Sequence, residues 1–192
     1  MDTLAFLGRT LGFSFAAGIN LYATVALIGL ASRFGWVAMP PEYAMFDNDW
    51  VIGTAVVLYL VEFAADKVPW VDTLWDSVHT FVRPIGGALV AVVGLGEASP
   101  GTQGMIALLG GAVAAGSHVT KAGTRVAANT SPEPFSNWFL SLFEDALVVA
   151  LAALAMQYPL AALAVCLLLL TAIVLLFATI IRAFRRRLAP AT

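Results

Sequence analysis

The sequence predicts an all-α, polytopic membrane protein of about six transmembrane helices, with a candidate division into two inverted three-helix repeats. Three observations carry that prediction. Hydrophobic residues make up 60% and charged residues 11% of 192 residues, with mean hydropathy +0.89. A soluble domain carries about 45–50% apolar and about 25% charged residues, so this chain lacks the polar surface to stay dissolved. Six apolar stretches alternate with turn signals. Arginine and lysine gather where alternate spans end, as the positive-inside rule requires.

A helix needs about 20 residues to cross a hydrocarbon core of ~30 Å. The first span is expected over Leu4–Ala31, with small residues at Gly8, Gly12, Ala16, Ala17 and Gly18. Gly8 and Gly12 form a G-x-x-x-G pattern that lets helix backbones approach closely. Gly35–Asn48, with Pro40 and Pro41, reads as an interfacial loop. The second span covers Asp49–Val68 and stops before Pro69, because the residue preceding a proline disfavours helix. The third is expected to start at Asp72 and run to about Leu95, kinked at Pro84. Without its charged first turns it would rise only about 18 Å, so part of the stripe Asp72–Arg83 must enter the membrane or the protein interior. The fourth span is expected over Gly104–Asn129. Ser131-Pro132-Glu133 reads as an N-cap, a proline at the first helical position and a dipole-compatible acid, opening a fifth span to Gln157. The sixth span is Leu160–Ala183, followed by a basic tail over 185–192.

Asp2, Arg9 and apolar sequence continuing to Ala31 argue for a retained helix rather than a cleaved signal, whose apolar core covers about 7–15 residues. The whole chain, 1–192, is read as one membrane domain, with repeat halves 1–98 and 99–184. Six spans would put both termini on the cytoplasmic side of a bacterial inner membrane, together with Arg9, Lys67, Lys121 and Arg125. Net charge −2 gives no reason to propose nucleic-acid binding, so the lipid bilayer is the expected partner. The glycine-rich faces of spans one and four could also build a homo-oligomer. Cys166 is the single cysteine, which excludes an intramolecular disulfide.

The repeat rests on two echoes. Ala16-Ala17-Gly18-Ile19-Asn20 resembles Ala114-Ala115-Gly116-Ser117-His118, and Leu60-Val61-Glu62 resembles Leu142-Phe143-Glu144. Three spans per half would invert one half against the other, the arrangement of many secondary transporters with a midplane site.

Helical spacing gathers the polar residues into stripes. Glu62 and Asp66 are four apart; Asp72, Asp76, His79 and Arg83 are spaced 4, 3, 4; His118, Lys121 and Arg125 are spaced 3, 4. Asn137, Ser141 and Glu144 are spaced 4, 3, with Asp145 adjacent, and Asn20 pairs with Thr24. A charge at the centre of a span costs about 2.5–3.5 kcal/mol, so the stripes should converge on one another rather than face lipid. Glu62, Asp66, Glu144, Asp145, His118 and Asn20 are the candidate ligand or ion binders. Lys67, Asp72, Asp76, His79, Arg83, Lys121, Arg125, Asn137 and Ser141 are candidate counter-charges and cavity residues. The plainer account treats the same groups as structural ion pairs, Asp72 and Asp76 as helix-start acids, and Trp50, Trp70, Trp75 and Trp138 as interfacial belts. Glycine-rich phosphate loops, nucleophile elbows and H-E-x-x-H are absent. Composition names neither a cofactor nor a metal, although a carboxylate–histidine metal site is arithmetically open.

A-G-I-N-L-Y, V-E-F-A-A-D-K-V-P-W-V-D, W-D-S-V-H-T-F-V-R-P-I-G-G-A, T-K-A-G-T-R, S-P-E-P-F-S-N-W and S-L-F-E-D together resemble the bacterial DUF4126 membrane-protein family, up to about Pro159. The resemblance implies a fold and a motif set, not an activity. Glu62-Phe-Ala-Ala-Asp66-Lys67 is also similar, with one extra residue, to the E-x-G-D-K-type motif of cation/proton exchangers. The leading expectation is a transporter or permease whose mid-membrane carboxylates take a cation or a proton. A non-transporting structural or lipid-interacting module is the alternative, and an intramembrane metal-dependent enzyme a third.

Overall fold

A computed structural model describes residues 2–130 and 135–188. Seven α-helices follow one another: α1 (Thr3–Ile19), α2 (Leu21–Phe34), α3 (Asp49–Ala65), α4 (Pro69–Leu95), α5 (Pro100–Asn129), α6 (Phe135–Gln157) and α7 (Pro159–Leu188). A short 3-10 turn, Pro41–Phe46, lies between α2 and α3. There is no strand among the described residues. Four helices, α4 to α7, are long and apolar enough to cross a membrane by length and composition, and the chain is accordingly an integral membrane protein in type.

The helix ends follow local chemistry. Asp2 Oδ1 accepts from the Leu4 amide at 3.1 Å to cap α1, and Asn48 caps α3 through the Trp50 and Val51 amides. Ser99 caps α5, whose first residue is Pro100. Gly35 ends α2 at φ 60°, a left-handed geometry that suits glycine.

The first element departs from expectation. The single span expected over Leu4–Ala31 is two helices joined at Asn20, whose backbone is extended at φ −147° and ψ 100°. The Asn20 amide closes α1 on the Ala16 carbonyl at 2.9 Å. Its side-chain oxygen accepts from the Ala23 amide, also at 2.9 Å, and opens α2. One asparagine therefore ends one helix and caps the next, which hydropathy does not register.

The chain folds back at that point. Along α1, Gly8 lies against Pro159, Gly12 against Ala155 and Ala162, and Gly18 against Ala114 and Ser117. Along α2, Leu21 packs on Gly86, and Gly29 meets Ile52 and Phe46. Phe13 of α1 and Ile28 and Ala31 of α2 share one core cluster with Tyr43, Ala155 and Met156. The start of α1 and the end of α2 thus lie at the same end of the bundle, beside the α6–α7 junction and the start of α3. Asn20 is the tip of a helical hairpin inserted among the longer helices.

Other boundaries shift less. α3 ends at Ala65, short of Val68. α4 begins at Pro69 rather than Asp72, because proline at the first helical position lacks only an amide that would be unpaired anyway, and it continues through Pro84. The cap expected at Ser131-Pro132-Glu133 lies outside the described residues. α7 carries the basic tail as helix to Leu188, and residues 189–192 also lie outside the description.

α1 is the core of the bundle. Gly8 and all residues from Thr10 to Ile19 are buried, and the helix packs on α4, α5, α6 and α7. The Gly8–Gly12 face expected to support an oligomer is thereby engaged within the chain. α7 is the opposite case, with only 11% of its most apolar window buried; Val174, Leu175, Phe184 and their neighbours face outward.

Candidate functional site

The polar stripes converge. Glu62, Asp66, Asp72, Asp76, His79, Arg83, His118, Lys121, Arg125, Asn137, Ser141 and Glu144 are all buried. They come from α3 and the residue that caps its end, Asp66, and from α4, α5 and α6, and meet in the half of the bundle nearest the α3–α4 turn and the end of α5, just beyond the hairpin tip.

Lys121 is the centre. Its Nζ donates to the Ile19 carbonyl, the last residue of α1, at 3.2 Å and to Glu62 Oε1 at 3.3 Å. Asp66 Oδ2 and Glu144 Oε2 lie at 3.6 and 3.7 Å. The ammonium thus joins three carboxylates and receives the negative end of the α1 dipole. Glu62 and Glu144, the two echoed acids, share this lysine rather than each other.

Arg125 fixes one side of the cluster. Its Nε donates to both Glu144 oxygens at 3.2 and 3.0 Å, and Nη2 to Glu144 Oε2 at 2.6 Å and Asp66 Oδ2 at 3.0 Å. Nη1 donates to Asn137 Oδ1 at 2.8 Å and to the Asp66 carbonyl at 3.2 Å. Asp72 stands 4.0 Å from Nη1 and accepts from Asn129 Nδ2 at 2.8 Å.

Arg83 holds the other side, with Nη2 on Glu62 Oε1 at 2.9 Å and Nη1 at 3.1 Å from Asp76 Oδ1. Nη1 also donates to His118 Nδ1 at 2.7 Å. A guanidinium has no acceptor, so His118 Nδ1 must present a lone pair and the ring proton sits on Nε2, which donates to Thr80 Oγ1 at 3.1 Å. His118 is therefore neutral. His79 Nδ1 can only donate to the Trp75 carbonyl at 2.7 Å, and its Nε2 lies 2.9 Å from Tyr22 Oη. Trp75, expected in an interfacial belt, stacks on His79 at 4.5 Å between ring centres.

Asn20 and Asp145 meet at the hairpin tip, Nδ2 to Oδ1 at 3.4 Å. Lys67, in the α3–α4 turn, donates to Ser141 Oγ at 2.8 Å and lies 3.4 Å above the centre of the Phe63 ring. Burial lowers the Lys67 pKa, against the opposing pull of Asp145 and Asp66.

The charges do not balance. Five buried carboxylates, Glu62, Asp66, Asp72, Asp76 and Glu144, face three buried cations, Arg83, Lys121 and Arg125. The half-buried Asp145 and Lys67 offset each other. Oxygens of Glu62, Asp66, Asp72 and Asp145, and Oδ2 of Asp76, have no hydrogen-bond donor. Unpaired charge in a low-dielectric interior is strongly unfavourable and is relieved by a proton or a counter-ion. No group of three or more His, Cys, Asp or Glu side chains among the described residues is placed to hold a metal ion.

Nearly every residue singled out in the sequence enters this cluster. Tyr22, Thr80 and Asn129 were missed; Thr80, four residues after Asp76 on the polar face of α4, was the most accessible of them.

Fold and site together define an integral membrane protein with a buried, acid-rich polar centre. The chain belongs to the DUF4126 family, a domain of unknown function, which matches residues 7–179. Searches of curated proteins and of solved structures return no match.

Proposed function

We propose that this protein is a small inner-membrane transporter in which the Lys121-centred network binds protons, or a small cation in their place, and couples that binding to movement of a solute. The observation that carries the reading is the excess of two buried carboxylates beside a helix break at Asn20. Transporters build midplane sites from interrupted helices, whose exposed helix ends meet ions, and interrupted backbone at membrane depth is tolerated where it is buried in protein or lines a cavity. Here the α1 terminus meets Lys121 and the α2 cap residue meets Asp145. A crevice of about 90 Å³ between α4 and α5, lined by Thr73, Asp76, Ser77, Thr80, Arg125 and Val126, supports a proton route. At about 30 Å³ per water it holds a few waters and no larger solute.

The membrane arrangement in this reading is five crossings, α3 to α7, plus the re-entrant α1–α2 hairpin, rather than six crossings. α3, with 17 residues, rises about 26 Å. Lys67, Lys121, Arg125, Arg182, Arg185 and Arg186 then share the cytoplasmic half, while Arg9 joins Arg33 at the other end. An inverted repeat is not part of this reading: α5 runs unbroken through Ala114–His118, where α1 and α2 part at the echoed Asn20.

A second reading, a structural ion-pair core, is favoured by Arg125 alone, whose donors are saturated. Proteoliposomes with an internal pH dye and an imposed potassium potential separate the two. Transport predicts faster acidification than in empty liposomes, lost in Glu62→Gln and Glu144→Gln proteins that still run as monodisperse species. Equal rates in wild type and both variants, or none in wild type, would sink it.

A further inference from the structure

The two carboxylates in excess belong to particular side chains. Glu62 has Arg83 at 2.9 Å and Lys121 at 3.3 Å. Asp66 has Arg125 at 3.0 Å and Lys121 at 3.6 Å, and Glu144 has the same two cations at 2.6 and 3.7 Å. Among the described residues, Asp76 has only Arg83, 3.1 Å from its Oδ1, and that guanidinium is shared with Glu62 and His118. Asp72 has no described cation nearer than Arg125, at 4.0 Å. The acids in excess are therefore Asp72 and Asp76, one turn apart on α4.

Their surroundings differ. Asp72 is fully buried, and its Oδ2 accepts from Asn129 Nδ2 at 2.8 Å. Its Oδ1 and Asn129 Oδ1 both lack a partner. One proton on Asp72 Oδ1 would turn that oxygen into a donor beside an unused amide acceptor on the same pair of side chains. Asp76 is also buried, but it lines the crevice between α4 and α5, and its Oδ2 has no donor. The hydroxyls along that crevice already donate to backbone: Thr73 to the Pro69 carbonyl at 2.9 Å, Ser77 to the Thr73 carbonyl at 2.8 Å and Thr80 to the Asp76 carbonyl at 3.0 Å. They can only accept from water. Arg125 lines the crevice too, but its five N–H groups are occupied by Asp66, Asn137 and Glu144. The remaining charges around Asp76 are Asp72 and His79 on its own helix, His118 on α5, and Glu62 of α3 through Arg83.

We propose that the excess is carried as two protons of different mobility. Asp72 holds a resident proton shared with Asn129, and Asp76 holds the exchangeable one, loaded from water in the α4–α5 crevice. Loading converts a hydronium ion and a carboxylate into water and a carboxylic acid; unloading is the reverse, and no other reactant takes part. This rests on the proton-binding half of the transport reading and names the side chain at which the network meets water.

Infrared spectroscopy of the full chain in nanodiscs, near neutral pH, reads the carboxylic-acid C=O stretch directly. Two acid bands are expected. On transfer to deuterated water one shifts at once, and the other follows more slowly by about tenfold or more, because a sealed site must open before it exchanges. Asp76→Asn should remove the fast band, Asp76→Glu should restore it at a displaced frequency, and Asp72→Asn should remove the slow one. Ala122→Leu, on the crevice wall, should slow the fast band without reducing its intensity. Absence of acid bands in the wild type, a fast band that survives Asp76→Asn, or equal exchange of both bands would each overturn the proposal. Occupancy is read here without flux. Both bands without liposome acidification would sink transport alone; acidification with a fast band insensitive to Asp76→Asn would sink this assignment alone.

Discussion

At the scale of single residues, Arg125 and Glu62 illustrate two kinds of buried charge. Arg125 bridges the end of α3, α5 and α6 through Asp66, Asn137 and Glu144, so its removal leaves Asp66 and Glu144 only the more distant Lys121 ammonium, at 3.6 and 3.7 Å. Breaking a buried pair from one side costs about 3–5 kcal/mol. Arg125→Ala is therefore expected to lower stability by that order, and Arg125→Lys to recover only part, because an ammonium cannot reproduce the planar fork. Thermal unfolding in detergent checks both; an unchanged midpoint for Arg125→Ala would mean that water already reaches the cluster. Glu62→Gln removes one charge from an over-acidic site and should cost less than Arg125→Ala in the same assay. The stripes at 3- and 4-residue spacing made these side chains legible in the sequence. Their pairing was not, because periodicity gives a face of one helix and says nothing of which neighbour it meets. That Lys121 joins Glu62 to Glu144 depends on how α3, α5 and α6 pack.

At the scale of elements, the α1–α2 hairpin is where hydropathy misled. Thr3–Ile19 and Leu21–Phe34 are both apolar, and nothing in an averaged apolar run distinguishes a straight crossing from a pair folded at Asn20. The signal present was one capping residue in a run of 28, and capping competes with a side chain bonding across helices. The echoed motifs now separate as well. A Cβ at Gly18 would collide with Ala114 and Ser117, whereas one at Gly116 meets nothing within 4 Å. Gly18→Ala should therefore destabilise strongly, since the obstacle includes helix backbone. Gly116→Ala should be neutral or stabilise by up to about 1 kcal/mol through helix propensity. Expression level and thermal midpoint of the two variants provide the measurement. Equal behaviour would contradict the close α1–α5 crossing at Gly18.

At the scale of the whole molecule, the proposed re-entrant hairpin would change where the chain ends lie. Six crossings would return both ends to one side; the proposed five crossings and re-entrant pair would put the start of α1 and the end of α7 on opposite sides. The reversal follows from two contacts, Gly8 on Pro159 and Gly29 on Ile52, which bring both outer ends of the hairpin to the face where α7 begins. The packing is also what would let so short a pair tolerate the proposed membrane depth. Buried α1 is shielded by four helices, and the broken backbone at Asn20 is closed by its own side chain, Ala16 and Thr24. Single cysteines introduced at Thr3 and at Arg186, in a Cys166→Ser background, test the arrangement. A membrane-impermeant maleimide applied to intact spheroplasts should label the Thr3 position and leave the Arg186 position unlabelled until the membrane is opened. Cysteine at Gly35, past the end of α2, should label with the Thr3 position. Labelling of Gly35 from one side and of both Thr3 and Arg186 from the other would restore the straight first span and refute the hairpin, and with it the helix-end geometry at Lys121 on which the transport reading leans.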